Sequence, residues 1–188
     1  MSKPLKIVSI ASEVDPYSKT GGLADVARSL PKALKRLGHK VIVITPFYAK
    51  IIDTKKFGLK KIFENEKIEL SQDVSLAANF WQGELMDGLP IYFIENNQYF
   101  GRRKALYGSK HENARFFFFD LAALRLLKLL DFQPDIIQCH DWHTGLIPYF
   151  LRGRFKNDEF FTKTATIFTI HNLSIPISVP GMVLANLI

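Results

Sequence analysis

The stretch LKIVSIASEVDPYSKTGGLADVARSLPKALKRLGHKVIVITP, residues 5–46, decides the fold. Its runs LKIVSIA (5–11) and KVIVIT (40–45) are short, apolar and rich in β-branched side chains, as is typical of strands buried on both faces. Between them, apolar residues recur at helical spacing from Gly22, and Gly38 provides a C-terminal cap. Pro31 should kink this helix or lie near its start. The stretch therefore predicts a strand–helix–strand unit with a right-handed crossover.

The rest of the sequence continues this alternation of strands and helices. Residues 57–94 predict strands, some of them antiparallel, and residues 96–110 predict a polar, basic loop. A Phe-rich helix over 112–130 is apolar almost all round and should be buried on most of its surface. A strand at 135–139, a helix at 146–152 and a strand at 164–170 follow. We therefore predict one domain over residues 1–188, with an α/β fold: a doubly wound, mostly parallel sheet with helices on both faces.

The composition limits the classes of function. A chain of 188 residues with 47% hydrophobic and 23% charged residues is typical of a globular domain. The net charge of +7 favours anionic ligands, but the basic residues are scattered, without the aromatic pattern of a nucleic-acid platform. No apolar stretch approaches the roughly 20 residues that span a bilayer, and the single cysteine, Cys139, excludes an internal disulfide. We expect a cytoplasmic protein that binds neither nucleic acid nor membrane.

Three polar clusters follow predicted strands, and the first contains Lys19, Gly21 and Gly22. Glycines let a backbone approach a ligand closely, and a helix N-terminus presents unpaired N–H groups with partial positive charge. A phosphate beside Lys19 is one interpretation, and a structural turn is the other. The pattern is neither the dinucleotide fingerprint nor a P-loop.

The second cluster is His140-Asp141-Trp142-His143, and the third is His171-Asn172. The two outer histidines of the second cluster and Asp141 could bind a metal in a hydrolase. Alternatively, the cluster could bind a sugar or phosphate, or Asp141 could simply cap the next helix. Because the carboxyl ends of parallel strands share one edge of a sheet, we expect all three clusters to meet there.

These motifs resemble the starch and glycogen synthases, specifically the N-terminal half of the bacterial and plant ADP-glucose-dependent enzymes. The matching segments are KTGGLADV (19–26), HDWHTGL (140–146) and TIHNL (169–173), with LGHKVIVITP (37–46) and LYG (106–108) in support. The resemblance implies a retaining glycosyltransferase built from two Rossmann-like domains around a cleft. Such enzymes transfer glucose from ADP-glucose to the non-reducing end of an α-1,4-glucan. The resemblance implies neither a metal nor another cofactor.

The resemblance also implies roles for individual residues. His171 would contact the transferring sugar and Asp141 would line its pocket, as the catalytic pair. The other residues would bind substrate, at the donor loop, on the acceptor side or beside His171: Lys19, Gly21, Gly22, His143, Tyr107 and Asn172. Positive groups would stabilise the departing ADP while an oxocarbenium-like sugar forms, and the acceptor would attack from the same face. No residue stands out as a covalent nucleophile.

One segment departs from the family pattern, because HNL continues into Ser174-Ile175-Pro176 instead of a Tyr-Gln-Gly-like sequence. The resemblance places most of the nucleotide site in a second, C-terminal domain, which residues 1–188 do not include. We therefore expect these residues alone to bind donor weakly and to turn over little. The alternative is a non-catalytic module that binds glucan or sugar nucleotide.

Overall fold

The computed structural model describes residues 3–108, 110 and 112–172; the unassigned tail at 174–188 and the departure at 174–176 lie outside them. Seven strands and three α-helices occur in this part of the chain. In chain order they are β1 (Lys6–Ile10), α1 (Gly22–Arg36), β2 (Lys40–Pro46), β3 (Lys60–Glu69), β4 (Ser75–Leu85), β5 (Leu89–Glu95), α2 (Glu112–Leu129), β6 (Ile136–His140), α3 (Leu146–Arg152) and β7 (Ala165–Thr169). None of the described helices is long and apolar enough to cross a membrane.

All seven strands form one sheet in the order β3-β4-β5-β2-β1-β6-β7. The five neighbouring strands β5, β2, β1, β6 and β7 run parallel to one another. Strand β4 pairs antiparallel with both β3 and β5. The steps from β1 to β2 and from β6 to β7 go in opposite directions along the sheet, so right-handed crossovers place α1 and α3 on opposite faces. The predicted doubly wound α/β fold is therefore confirmed.

The two strands quoted first form the middle of the core. In β1, the residues from Ile7 to Ile10 are all buried, and in β2 every residue after Lys40 is buried. They pair in register from Lys6 with Lys40 to Ile10 with Ile44. Burial on both faces explains why these runs are continuously apolar and do not alternate.

Helix α1 begins at Gly22 and ends just before Gly38, as the sequence predicts. Gly38, at φ 93°, ends it in a Schellman arrangement, in which the N–H of His39 donates to the Leu34 carbonyl at 3.2 Å. Pro31 lies inside the helix and is buried. Leu37 follows the last helical residue, and its side chain is 75% exposed.

The middle of the chain matches its prediction more loosely. Strands β3, β4 and β5 form the antiparallel edge expected over 57–94. The predicted loop at 96–110 contains a π-helical turn, Asn97–Gly101, which the Asn96 side chain caps by accepting a hydrogen bond from the Tyr99 N–H. The sequence contained no clear signal for this turn, because its polar and aromatic residues lack helical periodicity.

Helix α2 is buried on most of its surface, as its Phe-rich sequence predicts, but it also buries two charged residues. The Arg115 guanidinium lies over the rings of Phe100 and Phe116, at 5.0 and 4.7 Å from the ring centroids. The Asp120 carboxylate accepts a hydrogen bond from the Leu146 N–H, at the start of α3, at 3.1 Å. Asp120 thus fixes α3, which directly follows the second polar cluster.

Replacing Asp120 with asparagine should stabilise the protein at neutral pH. Burial raises the pKa of this carboxyl well above 3.8, and backbone hydrogen bonds only partly oppose the shift. Because the pKa of this carboxyl is higher in the folded than in the unfolded state, its protonation stabilises the folded protein at low pH. This stabilisation is lost as the pH rises above about 3.8. The melting temperature of Asp120→Asn relative to wild type should therefore increase from pH 4 to pH 7.

Thermal melts across this pH range would measure the effect. The same change at the exposed Asp73, Asp73→Asn, is the control for the loss of one carboxyl group at the surface. A larger advantage of Asp120→Asn at pH 4 than at pH 7 would contradict the prediction.

Candidate functional site

A cleft of about 690 Å³ opens at the carboxyl ends of the parallel strands. It lies where the strand order reverses, between β1 and β6, which is where ligands bind in open α/β sheets. Its lining includes seven of the eight predicted site residues: Gly21, Gly22, Tyr107, Asp141, His143, His171 and Asn172. The expectation that the three polar clusters meet at one edge is confirmed.

The loop over residues 19–22, called here the glycine loop, is held in place by Glu13, a residue that the sequence analysis did not select. This carboxylate is 2% exposed and accepts hydrogen bonds from the Thr20 N–H at 2.7 Å and the Thr20 hydroxyl at 2.6 Å. Glu13 also lines the cleft. It fixes the loop that enters α1 without occupying the helix N-terminus, where no side chain provides a cap.

Neither glycine of the loop is required by the protein's own packing. Gly21 has extended backbone, with φ −153°, and a Cβ there would meet Glu13 at an ordinary 3.8 Å. A Cβ on Gly22 would meet nothing within 4 Å. A structural turn therefore does not explain the glycines. What they do is leave the cleft side of the helix N-terminus open, so that a ligand could approach the backbone N–H groups.

Lys19 is not among the lining residues of the cleft, although the next residue, Thr20, is one of them. Its ammonium group pairs with the Asp25 carboxylate in the first turn of α1, and both side chains are about half exposed. The hydrogen bond to Asp25 raises the pKa of Lys19, so the side chain stays positive. A ligand phosphate would compete with Asp25 for this charge.

Asp141 has a backbone conformation that is rare for any residue with a side chain. Its φ is 57° and its ψ is 179°, a region populated almost only by glycine. Hydrogen bonds fix both sides: its N–H donates to the Thr169 carbonyl at 2.9 Å, and its own carbonyl accepts from the Thr144 N–H at 3.2 Å. The Asp141 carboxylate in turn accepts the His171 N–H at 2.6 Å, which joins the second and third clusters.

The His143 ring is buried in an aromatic wall of the cleft. It stacks on Trp142 at 4.1 Å between ring centroids and lies 4.9 Å from Tyr107 and 4.6 Å from Phe116. Burial, with a smaller contribution from Arg115, lowers the pKa of His143 to about 3, so the ring is neutral at pH 7. Within the described residues, its Nδ1 is buried without a hydrogen-bond partner.

Tyr107 is anchored to the loop after β1. Its hydroxyl lies 2.7 Å from the Ser12 hydroxyl, and the buried Tyr48 hydroxyl donates to the Ser12 carbonyl at 2.8 Å. The Arg115 guanidinium holds the neighbouring carbonyl of Leu106. Burial raises the pKa of Tyr107, so its phenol stays protonated and can serve only as a neutral hydrogen-bonding group.

The charges of the cleft are unevenly distributed. Among the described lining residues, Glu13, Glu112 and Asp141 are acidic, and none is a lysine or an arginine. The described residues also contain no group of three or more His, Cys, Asp or Glu side chains placed to hold a metal ion. The geometry is also unfavourable for the alternative metal site at His140, Asp141 and His143. Both ring nitrogens of His140 already lie within hydrogen-bond distance of Ser9 and His171.

Comparisons with known proteins identify the family of the chain. A protein-family model described as the starch synthase catalytic domain matches residues 6–187. Among curated proteins, the glycogen synthase of Geotalea uraniireducens (strain Rf4) is 44% identical over 175 residues, covering 90% of this chain and 35% of its own length. The glycogen synthase of Moorella thermoacetica (strain ATCC 39073 / JCM 9320) is 44% identical over 190 residues, covering 100% of this chain and 37% of its own length.

A solved structure extends the comparison to three dimensions. The catalytic domain of starch synthase IV from Arabidopsis thaliana, bound to ADP and acarbose, superposes with a TM-score of 0.80 and 32% identity. The match covers 90% of this chain and 34% of that structure. The chain therefore spans about a third of the length of the relatives that it matches.

Proposed function

Because the chain belongs to the starch synthase catalytic-domain family, we propose that it forms the N-terminal part of a retaining glycosyltransferase. The enzyme would transfer glucose from ADP-glucose to the non-reducing end of an α-1,4-glucan. One observation carries this proposal: an open glycine loop at a helix N-terminus faces Asp141 and His171 across a single cleft. That arrangement offers positive potential to an anion on one side and polar groups to a sugar on the other.

In the proposed complex, the donor diphosphate lies at the start of α1, beside Gly21, Gly22 and Lys19. The glucosyl group extends toward His171, Asp141 and Asn172, and the aromatic wall with His143 and Tyr107 faces the acceptor. Neutral His143 and protonated Tyr107 suit hydrogen bonding to sugar hydroxyls, which carry no charge. The ADP and acarbose in the similar structure support a site for a nucleotide and a saccharide.

The proposed reaction exchanges one bond at the anomeric carbon. The bond from C1 to the diphosphate oxygen breaks, and ADP leaves with the electron pair. The acceptor hydroxyl forms the new C–O bond from the same face, and its proton is released with ADP. The helix N-terminus and Lys19 stabilise the departing negative charge, and the Asp141 carboxylate stabilises the positive charge that develops on the sugar.

A second domain is part of this proposal. The described cleft lining contains no lysine or arginine, so a diphosphate would need further positive groups from another part of the protein. The outer edge of the sheet also supports a packing partner, because Ile167, Phe168 and Ile170 are 48%, 41% and 56% exposed. Exposed large apolar side chains at a sheet edge are typical of a surface that a packing partner covers. We propose that the partner is the C-terminal domain of the same enzyme.

A cytoplasmic location remains a prediction. It rests on the absence of a disulfide-forming pair in these residues and on the buried position of Cys139. Burial raises the pKa of this thiol, which makes it unreactive.

Calorimetric titration of the chain with ADP-glucose tests the donor loop. We expect weak binding that Lys19→Ala weakens by about tenfold or more, because a charge-assisted hydrogen bond is lost. Gly22→Ala should weaken binding similarly without lowering the melting temperature, because its Cβ meets no protein atom within 4 Å. Lys35→Ala removes the same charge at the other end of α1, where Lys35 contacts the Asp87 carbonyl, and should leave affinity unchanged.

Unchanged affinity in both loop variants would exclude the glycine loop as the diphosphate site. Catalysis is tested separately, in a complete enzyme that contains this chain, by glucosyl transfer to an α-1,4-glucan. Binding without any transfer by a folded complete enzyme would favour the non-catalytic module. Transfer from UDP-glucose in preference to ADP-glucose would contradict the proposed donor.

A further inference from the structure

Three polar side chains form a continuous row beneath the cleft. The Ser9 hydroxyl of β1 lies 3.1 Å from His140 Nε2, and His140 Nδ1 lies 2.8 Å from Nε2 of His171. Ser9 and His140 are fully buried, whereas His171 is partly buried and lines the cleft. The row therefore connects the interior of the sheet to a residue at the candidate active site.

The hydrogen bonds determine where the protons lie. Within the described part of the chain, the Ser9 hydroxyl has His140 as its one side-chain partner. A buried hydroxyl proton needs an acceptor, so Ser9 donates and His140 Nε2 accepts. His140 must then carry its proton on Nδ1, and that N–H donates to Nε2 of His171.

This assignment requires a neutral His140. Burial, with a smaller contribution from the neighbouring His171, lowers the pKa of His140 to about 4, so the ring carries a single proton at neutral pH. The two imidazole rings meet edge to edge and are nearly coplanar, with centroids 5.1 Å apart and an angle of 26° between their planes. Together with the bond from the His171 N–H to Asp141, this contact fixes both the backbone and the ring of His171.

We propose that His140 is a positioning residue, which holds His171 as the tautomer with its proton on Nδ1. His171 then has one ring nitrogen left for a cleft ligand, and that nitrogen is a donor, suited to a sugar or phosphate oxygen. A histidine without such a partner would exchange between two tautomers, one of which places a lone pair there. The catalytic consequence rests on the proposed function, whereas the tautomer itself does not.

The tautomer can be read directly in this chain from the ring nitrogens, by two-dimensional ¹H–¹⁵N NMR at neutral to slightly alkaline pH. His171→Gln identifies the His171 signals by their loss. We expect the His171 proton on Nδ1. A proton on Nε2, or a mixture of the two tautomers, in the wild-type spectrum would overturn the proposal.

Variants of His140 separate positioning from simple packing. His140→Asn retains an amide that can donate to His171, and it should keep the His171 proton on Nδ1. His140→Leu retains bulk without a donor and should give a mixture of tautomers. Ser9→Ala is a milder change that should also give a mixture, and it serves if the leucine variant does not fold. An unchanged His171 signal in these last two variants would overturn the proposal.

Kinetics in a complete enzyme that contains this chain measure the consequence. His140→Leu should lower kcat by about tenfold or more with a smaller change in KM, because a misplaced donor acts mainly on the transition state. His140→Asn should restore most of kcat, and His39→Asn, far along the chain at the end of α1, is the matched control. An unchanged kcat in His140→Leu would overturn the positioning role. Failure of the wild-type enzyme to transfer glucose would instead contradict the proposed function, and the NMR result would still decide the tautomer.

Discussion

Replacing His171 with alanine in a complete enzyme that contains this chain is expected to lower kcat by about 10²- to 10³-fold. The ring lies in the cleft, edge to edge with the His140 ring, which holds it through Nε2, so it is preorganised for one contact with the transferring sugar. Preorganised donors of this kind act on the transition state more than on the bound substrate. The KM for ADP-glucose should therefore change much less than kcat.

The fold should tolerate this change, because the hydrogen bond from the 171 N–H to Asp141 uses the backbone and remains in the variant. Circular dichroism and thermal melts of the variant should resemble those of wild type. The matched control is His39→Ala, which removes a histidine that accepts a hydrogen bond from the Leu5 N–H, away from the cleft. Near-normal turnover of His171→Ala, or an equal loss in His39→Ala, would remove His171 from the mechanism.

The strand-end clusters could be predicted from sequence because each one directly follows a short apolar strand. Parallel strands place their carboxyl ends at one edge of a sheet. Recognising β1, β6 and β7 as parallel strands is therefore enough to predict that Gly21, Asp141 and His171 lie near one another. No knowledge of side-chain packing is needed for that step.

The supporting residues could not be predicted, because their partners are distant along the chain. Ser9 is one small polar residue within an apolar strand, and its partner His140 is 131 positions away. Glu13 lies in a polar loop where a carboxylate attracts no notice, yet it is buried and holds Thr20. Arg115 is one of several charged residues in a Phe-rich helix. Only the tertiary fold shows that these groups are buried and paired.

The two interpretations of the glycine loop were separable only with coordinates. Sequence alone allows a turn or an anion site, since both favour glycine. The space around Gly22 and the extended backbone of Gly21 show that neither residue is demanded by the turn. The coordinates also show the charge of Lys19 partly neutralised by Asp25, which a reading of residues 19–26 did not anticipate.

Substitutions at Asp141 should separate backbone strain from the role of the carboxylate. Glycine and alanine both remove the carboxylate, but only glycine adopts φ 57° and ψ 179° without strain. Asp141→Gly should therefore be more stable than Asp141→Ala by about 1–3 kcal/mol. Both variants should lose turnover by about 10²-fold or more in a complete enzyme, because each lacks the charge that faces the developing positive sugar.

Asp141→Asn completes this series and separates the effect of the Asp141 charge from the effect of positioning His171. Its side-chain oxygen can still accept the His171 N–H, which Asp141 now accepts at 2.6 Å, so His171 should stay in place. If the charge of Asp141 matters most, Asp141→Asn should be nearly as inactive as Asp141→Gly; if positioning of His171 matters most, it should recover most of kcat. Unfolding by denaturant and steady-state kinetics measure the two quantities on the same proteins. Equal stability of the glycine and alanine variants would show that the backbone at 141 stores no strain, and near-normal turnover in all three would remove Asp141 from the catalytic pair.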